Sequence, residues 1–199
     1  MKIIGLVGGS GSGKGTVSEL FSKYNFAHID TDNIYHELTS GATPCTEALR
    51  LEFGDGVIKE DGSLDRRALS KIVFADGARE KLRALNSITH KFVLDEVRRL
   101  LPSLALSGYA AVLVDAPLLF ESGFDKECDT ILCVTAPKDV RISRIVARDG
   151  ISPDAAERRI SSQKSDDELI ERSDFAIENS GDRDELLRVI DGLVPLILK

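Results

Sequence analysis

Apolar residues are distributed along this chain in two periods. Short aliphatic runs at Lys2-Ile3-Ile4-Gly5-Leu6-Val7, Phe26-Ala27-His28-Ile29, Ala110-Ala111-Val112-Leu113-Val114, Thr130-Ile131-Leu132-Cys133-Val134 and Asp174-Phe175-Ala176-Ile177 are too short and too continuous for amphipathic helices. They read as buried strands. Between and after them, apolar positions recur every three to four residues, as in Val17 to Tyr24 and Arg183 to Leu198, which predicts helices with one buried face. Strands alternating with helices imply an α/β fold on a five-stranded parallel sheet. The alternation stops between Gly41 and Ser107, where helix follows helix and no strand is convincing. Within that stretch Asp61-Gly62-Ser63 reads as a turn, and a helix begins near Leu64 with Asp65 in its first turn. Leu82, Leu85, Ile88, Phe92, Val93, Val97 and Leu100 mark the buried stripe of a long helix that Pro102 bends or ends.

The first strand leads into Gly8-Gly9-Ser10-Gly11-Ser12-Gly13-Lys14-Gly15-Thr16 and then into a helix beginning near Gly13. That order is the context in which a glycine loop counts as a phosphate cradle. Glycines let successive backbone N–H groups turn toward an anion, the helix adds its positive end, and Lys14 reaches the β- and γ-phosphates. Gly8, Gly13 and Lys14 occupy their places in the Walker A pattern. Gly15 departs from it, standing where Ser or Thr normally follows the lysine, and Thr16 carries the only nearby hydroxyl after Lys14. The alternative for such a segment is a flexible glycine-serine turn.

Other candidates gain meaning from that cradle. Asp30 and Asp32 follow the second strand, at the edge where parallel sheets bind ligands. Asp30 suits a helix cap, while Asp32 suits proton acceptance from an attacking hydroxyl or water-mediated metal holding. Asp115 ends an aliphatic strand in the Walker B manner and is a candidate for magnesium or its waters. Pro117-Leu118-Leu119-Phe120-Glu121 is apolar enough to wall a binding site, with Leu119 as the candidate contact. Arg141, Arg144, Arg148, Arg158, Arg159, Lys164 and Arg172 form a basic cluster suited to a lid that neutralises a transferring phosphoryl group; nearby acids leave a salt-bridged surface as the competing reading. Arg66 and Arg67 suit phosphate or a solvated face, and His90 lies among polar neighbours. Asn179, in a polar loop after the last strand, is placed for a purine ring.

Composition narrows the classes. The chain has 199 residues, 42% hydrophobic and 30% charged, enough for one sizeable core with inserted segments. A formal net charge of -7 gives no electrostatic basis for nucleic-acid binding. Cys45, Cys128 and Cys133 make no metal-type spacing and read as core thiols of a reducing compartment. With no segment apolar enough for a signal peptide or a membrane span, the expectation is a cytoplasmic protein, monomeric or a small homo-oligomer.

The glycine loop, Asp30-Thr31-Asp32, Asp61-Gly62-Ser63-Leu64-Asp65-Arg66-Arg67, Pro117 to Glu121, Arg144 to Asp149, Arg159 with Gln163, and Asn179-Ser180-Gly181 together resemble the dephospho-CoA kinase family from end to end. The resemblance implies a three-layer P-loop kinase fold whose nucleotide-binding core is 1–40 and 108–199, with a helical acceptor-binding insert at 41–107 and an Arg-rich lid at 141–172. It implies transfer of the γ-phosphate of ATP, with Mg2+, to the ribose 3′-hydroxyl of dephospho-CoA. Carried over by position, Gly11, Ser12, Gly13, Lys14, Gly15 and Thr16 hold ATP together with Arg148 and Asn179. Asp32, Lys14 and Arg144 are catalytic; Arg66, Arg67, His90 and Leu119 join Asp32 at the acceptor; Thr16 and Asp115 hold the metal through water. Departures from the family pattern are Gly15, Val7 where Thr is common, Ser10 where an aliphatic residue is common, and Lys91 where proline usually follows His90. The Gly-Lys-Gly-Thr form also suits a nucleoside monophosphate kinase, and a nucleotide-dependent switch ATPase is the reading from another class.

Overall fold

The computed structural model describes all 199 residues, Met1–Lys199. In chain order the elements are β1 (Lys2–Val7), α1 (Lys14–Phe21), β2 (Phe26–Asp30), α2 (Thr31–Leu38), α3 (Pro44–Phe53), α4 (Arg66–Val73), α5 (Arg79–Leu106), β3 (Ala111–Asp115), α6 (Leu119–Ser122), β4 (Thr130–Thr135), α7 (Lys138–Asp149), α8 (Pro153–Ser161), α9 (Asp166–Glu171), β5 (Phe175–Glu178) and α10 (Arg183–Ile197). Two compact units emerge: Met1–Ile29 with Leu104–Lys199, and Asp30–Ser103.

The first unit is built on a five-stranded parallel sheet of order β2-β3-β1-β4-β5. Its strand runs are buried because both faces are covered. Ile4 and Leu6 of β1, Ala111 and Leu113 of β3, Leu132 and Val134 of β4 and Ile177 of β5 share one core with Val17, Leu20 and Phe21 of α1 and Leu186, Ile190 and Ile197 of α10. On the other face β1 meets α6 and β4 meets α9. Gly5 is there because a Cβ would lie 2.7 Å from Leu119 Cδ2. The register that matters for chemistry pairs Leu6 of β1 with Asp115 of β3, which brings the carboxylate beside the end of β1. No helix is long and apolar enough to cross a membrane.

The second unit has its own core, formed by Cys45 and Leu49 of α3, Val57, Leu64, and Leu69 and Val73 of α4, with Leu82, Leu85, Ile88 and Phe92 of α5 packed against it. Its only extended pairing is the isolated bridge Ile58 to Leu64. That bridge frames the predicted turn, in which the Asp61 carboxylate accepts from Ser63 N at 2.9 Å and Ser63 Oγ at 2.6 Å. Asp65 stands one residue ahead of α4, not in its first turn, and caps it by accepting from the Arg67 and Ala68 N–H groups. The expected stripe of α5 is found, with Val97 buried and Leu82, Leu85, Ile88 and Phe92 packed partly buried against this core, while Thr89 and Leu94 are buried positions outside it. Of the two effects expected of Pro102, ending the helix does not occur: α5 runs on to Leu106, and the carbonyl the proline releases belongs to Arg98 on an exposed turn.

Candidate active site

The loop from Gly8 to Lys14 joins β1 to α1. Gly13 caps the helix in a left-handed conformation, φ 92°, with no side-chain bond to the first turn. A side chain at Gly13 is excluded both by that φ and by the Asn179 amide against it. The first-turn N–H groups of α1 are therefore unclaimed by any cap and available to an anion, with the helix dipole in support.

Lys14 is oriented by its own loop and by the neighbouring strand. Its Nζ donates to Gly8 O at 2.9 Å and lies 3.8 Å from Asp115 Oδ1, with both side chains 15% exposed. A cation and a carboxylate so little exposed interact far more strongly than they would in bulk water. Together they supply a charge for phosphate oxygens and an acceptor for a metal's waters.

The outer side of the loop is gripped by two side chains. Arg144 of α7 donates from Nη1 to Gly11 O and Ser12 O, both at 3.3 Å. Asn179, just after β5, donates from Nδ2 to Ser12 O at 2.9 Å and accepts from Arg144 Nη2 at 3.5 Å. With the Ser12 carbonyl held outward, the Gly13 N–H on the same planar peptide points the other way. Asn179, expected at a purine, here braces the glycine loop; it is 5% exposed.

The remaining candidates of this unit are sorted by the fold. Arg141, one turn before Arg144, is buried and bonded to the loop tip and to Asp166, not open as a lid residue would be. Arg148 instead pairs with Asp149, which also takes Arg159. The Arg148 hydrogen bond leads the influences that hold the Asp149 carboxyl down to about 2. Leu119 is wholly buried against Gly5, so the wall residue expected there is a core residue. Leu118 is the exposed leucine of that loop, at 46%. Thr16, one residue into α1 beyond Gly15, is partly buried. An added Cβ at Gly15 would meet nothing within 4 Å.

In the second unit Asp30 is the cap of α2, accepting from the Asp32 and Asn33 N–H groups at 2.9 and 3.1 Å. Asp32 follows in the first turn of that helix, exposed to solvent. Arg66 Nη2 lies 2.9 Å from His36 Nδ1, and the guanidinium sits 5.4 Å from the centre of the Tyr35 ring. Lys59, Arg66 and Arg67 line an open cavity of about 460 Å³ with His36 and the acid Asp65, three fixed positive charges against one negative in an acidic protein. Sequence reasoning missed Lys59 and Tyr35. The spacing of Tyr35, His36 and Thr39 on one side of α2 was the available signal. His90 is partly buried on α5.

The family model described as dephospho-CoA kinase matches residues 2–185. The chain belongs to the dephospho-CoA kinase family. A relative named dephospho-CoA kinase in Symbiobacterium thermophilum is 45% identical over 92% of this chain and 76% of its own length. Among solved structures, TT1252 from Thermus thermophilus is 32% identical, with a TM-score of 0.79 over 98% of this chain and 97% of that one. A dephospho-CoA kinase from Campylobacter jejuni is 26% identical, with a TM-score of 0.67 over 96% of each chain. Dephospho-CoA kinases share a P-loop kinase fold, so the chain is a nucleotide-using phosphotransferase.

Proposed function

We propose that this chain transfers the γ-phosphoryl group of ATP to the ribose 3′-hydroxyl of dephospho-CoA, giving coenzyme A and ADP, the final step of coenzyme A biosynthesis. The observation that carries the reading is the Lys14–Asp115 pair beneath an uncapped helix start, in a chain of this family. In this reading the N–H groups of Gly11 to Thr16 and the Lys14 ammonium bind the polyphosphate. Arg144, already at the loop, neutralises charge on the transferring group. Asp32 takes the proton of the 3′-hydroxyl as its oxygen bonds to phosphorus, while the bond to the bridging oxygen breaks and its electron pair leaves with ADP. Positioning supplies most of the rate, as in other phosphoryl transfers.

The donors at this site suit Mg2+, which neutralises phosphate charge when bound. A carboxylate at Asp115 and a hydroxyl at Thr16 are matched to its waters, and Gly15 leaves no hydroxyl at the usual position. Thr16, Asp115 or Asp32 would hold the metal through water, where it would offset phosphate charge. Residues 41–107 serve as the acceptor-binding insert, with Arg66, Arg67 and His90 as contacts and the positive cavity facing acceptor phosphates. Residues 141–172 serve as the lid, and Arg148 with Asn179 flanks the adenine. The enzyme is assigned to the cytoplasm, as a monomer or small homo-oligomer.

The test is ADP release measured with and without dephospho-CoA, followed by the mass of the product. Asp32→Asn abolishes turnover with ATP binding retained; near-normal turnover removes Asp32 from the role of base. Preference for AMP or another monophosphate as acceptor would instead make the chain a nucleoside monophosphate kinase, the reading that Gly-Lys-Gly-Thr favours.

A further inference from the structure

We infer that Arg141, Gln163 and Asp166 form a latch that holds the tip of the nucleotide loop and couples ATP binding to the α8–α9 connection. This rests on the reading of Gly8 to Thr16 as the ATP loop. The tip residue is Ser10, and all of its polar groups are taken by residues from beyond β4. Its N–H donates to Gln163 Oε1 at 2.9 Å, its carbonyl accepts from Arg141 Nε at 2.9 Å, and its hydroxyl accepts from Gln163 Nε2 at 3.0 Å. Arg141 completes the arrangement by donating from Nη1 to Asp166 Oδ1 at 2.9 Å and from Nη2 to Gln163 Oε1 at 3.3 Å.

The burial of Arg141 argues that the arrangement is more than surface decoration. At 4% exposure its charge is out of water, a state that persists only with its donors satisfied, and each of its three nitrogens has an acceptor. Gly9 is a glycine on the same account, since a Cβ there would collide with the Arg141 guanidinium. The Ser10 N–H faces Gln163, so the tip gives the phosphates nothing; its part is to fix the direction in which the chain runs on to Ser12. Ser12 N donates back to Gly9 O at 3.1 Å, closing a turn whose placement is set by the anchored Ser10. Gln163 is exposed and lies in the four-residue link between Ser161 and Asp166, a link that Lys164 and Ser165 hold to α9, and its bonds to Ser10 tie that link to the loop.

Coupling of this kind is reciprocal. A latch that orders the tip makes ATP bind more tightly, and ATP that orders the tip must tighten the α8–α9 connection by the same factor. Arg141 and Gln163 are thus positioning residues, which act on the nucleotide through Ser10 without touching it.

Gln163→Met tests this on the full chain, because the side chain is exposed and its loss does not endanger the fold. Loss of its bonds to Ser10 raises the Kd for ATP about fivefold, while kcat at saturating ATP and the KM for dephospho-CoA stay within about twofold. Hydrogen exchange gives the second readout. A non-hydrolysable ATP analogue slows exchange at 162–166 and in α1 of the wild type; in Gln163→Met only the α1 protection survives. Arg141→Met shifts both readouts in the same direction, and if it fails to fold, the Gln163 variant decides alone. A Kd within twofold of wild type, or unchanged nucleotide protection at 162–166 in Gln163→Met, overturns the latch. A wild type that binds ATP no better than Lys14→Ala overturns the loop assignment itself, and the latch with it.

Discussion

Gly15 is the residue at which this chain departs most clearly from the Walker A pattern, and the structure permits the missing side chain. Nothing lies within 4 Å of an added Cβ, the position is exposed, and a serine is a better helix former than glycine by about 0.5 kcal/mol. Gly15→Ser therefore folds with an unchanged or slightly raised Tm and puts a hydroxyl where the metal meets the phosphates. In a Mg2+ titration of activity the half-saturating concentration falls. An unchanged titration would show that the hydroxyl is not what limits metal binding here. The placement of two residues was legible because motif position suffices for it: Lys14 in its loop and Asp115 at a strand end stand 3.8 Å apart. Leu119 was read as ligand-facing because a sequence does not say which way a loop side chain turns. It packs under Gly5, whereas Asn179 holds Ser12 O from just after β5, a contact that spacing does not announce.

Elements were legible wherever one face is buried. α10 shows this along its whole length, with Leu186 and Ile190 in the core and Val189 half exposed beside them. Ile190→Ala should cost about 2–5 kcal/mol of unfolding free energy, and Val189→Ala no more than about 0.5, in denaturant titrations. Equal costs would mean that the helix does not present this face. α5 was less legible. Its 28 residues exceed what one stripe can describe, and Thr89, a polar residue, is buried with its hydroxyl donating to Leu85 O. α7 shows the limit of spacing in another way. Helical spacing lets two or three of Arg141, Arg144 and Arg148 share a face, yet one is buried at the loop tip, one spans the loop carbonyls and one pairs with its neighbour Asp149. Helical spacing gives direction around an axis, not depth.

At the scale of the whole molecule, two cores and three buried or partly buried thiols set how stability responds to pH. Burial pushes Cys45 and Cys133 up to about 11 and Cys128 up to about 12, from an ordinary value of 9.0. In the unfolded chain these thiols release protons as pH rises through 9, while the folded chain retains them. The unfolded state then binds fewer protons, so stability is fully present below pH 9 and falls as pH rises from there toward 11. Thermal melts across this range should show the loss, and a variant with Cys128→Ala and Cys133→Ala should lose less. A wild-type alkaline slope identical to that of the variant would exclude the thiols as its source. Asp149 works at the other extreme. Its carboxyl is held to about 2, so the stability it contributes is present above the usual carboxylate range and lost as pH falls toward 2.

Local pattern alone determined the strand-loop-helix start, the five strands, the interruption by helices and the acids at strand ends. Each depends on residues close together in the chain: aliphatic runs long enough for a buried strand, glycines where backbone must face an anion, and periodicity that buries one helix face. Tertiary structure alone decided the strand order that sets Asp115 opposite Leu6, the depth of Arg141, and the closure of Ser10 by Gln163 across 153 positions of sequence. Contacts of that span depend on how whole elements pack, and no local spacing encodes them.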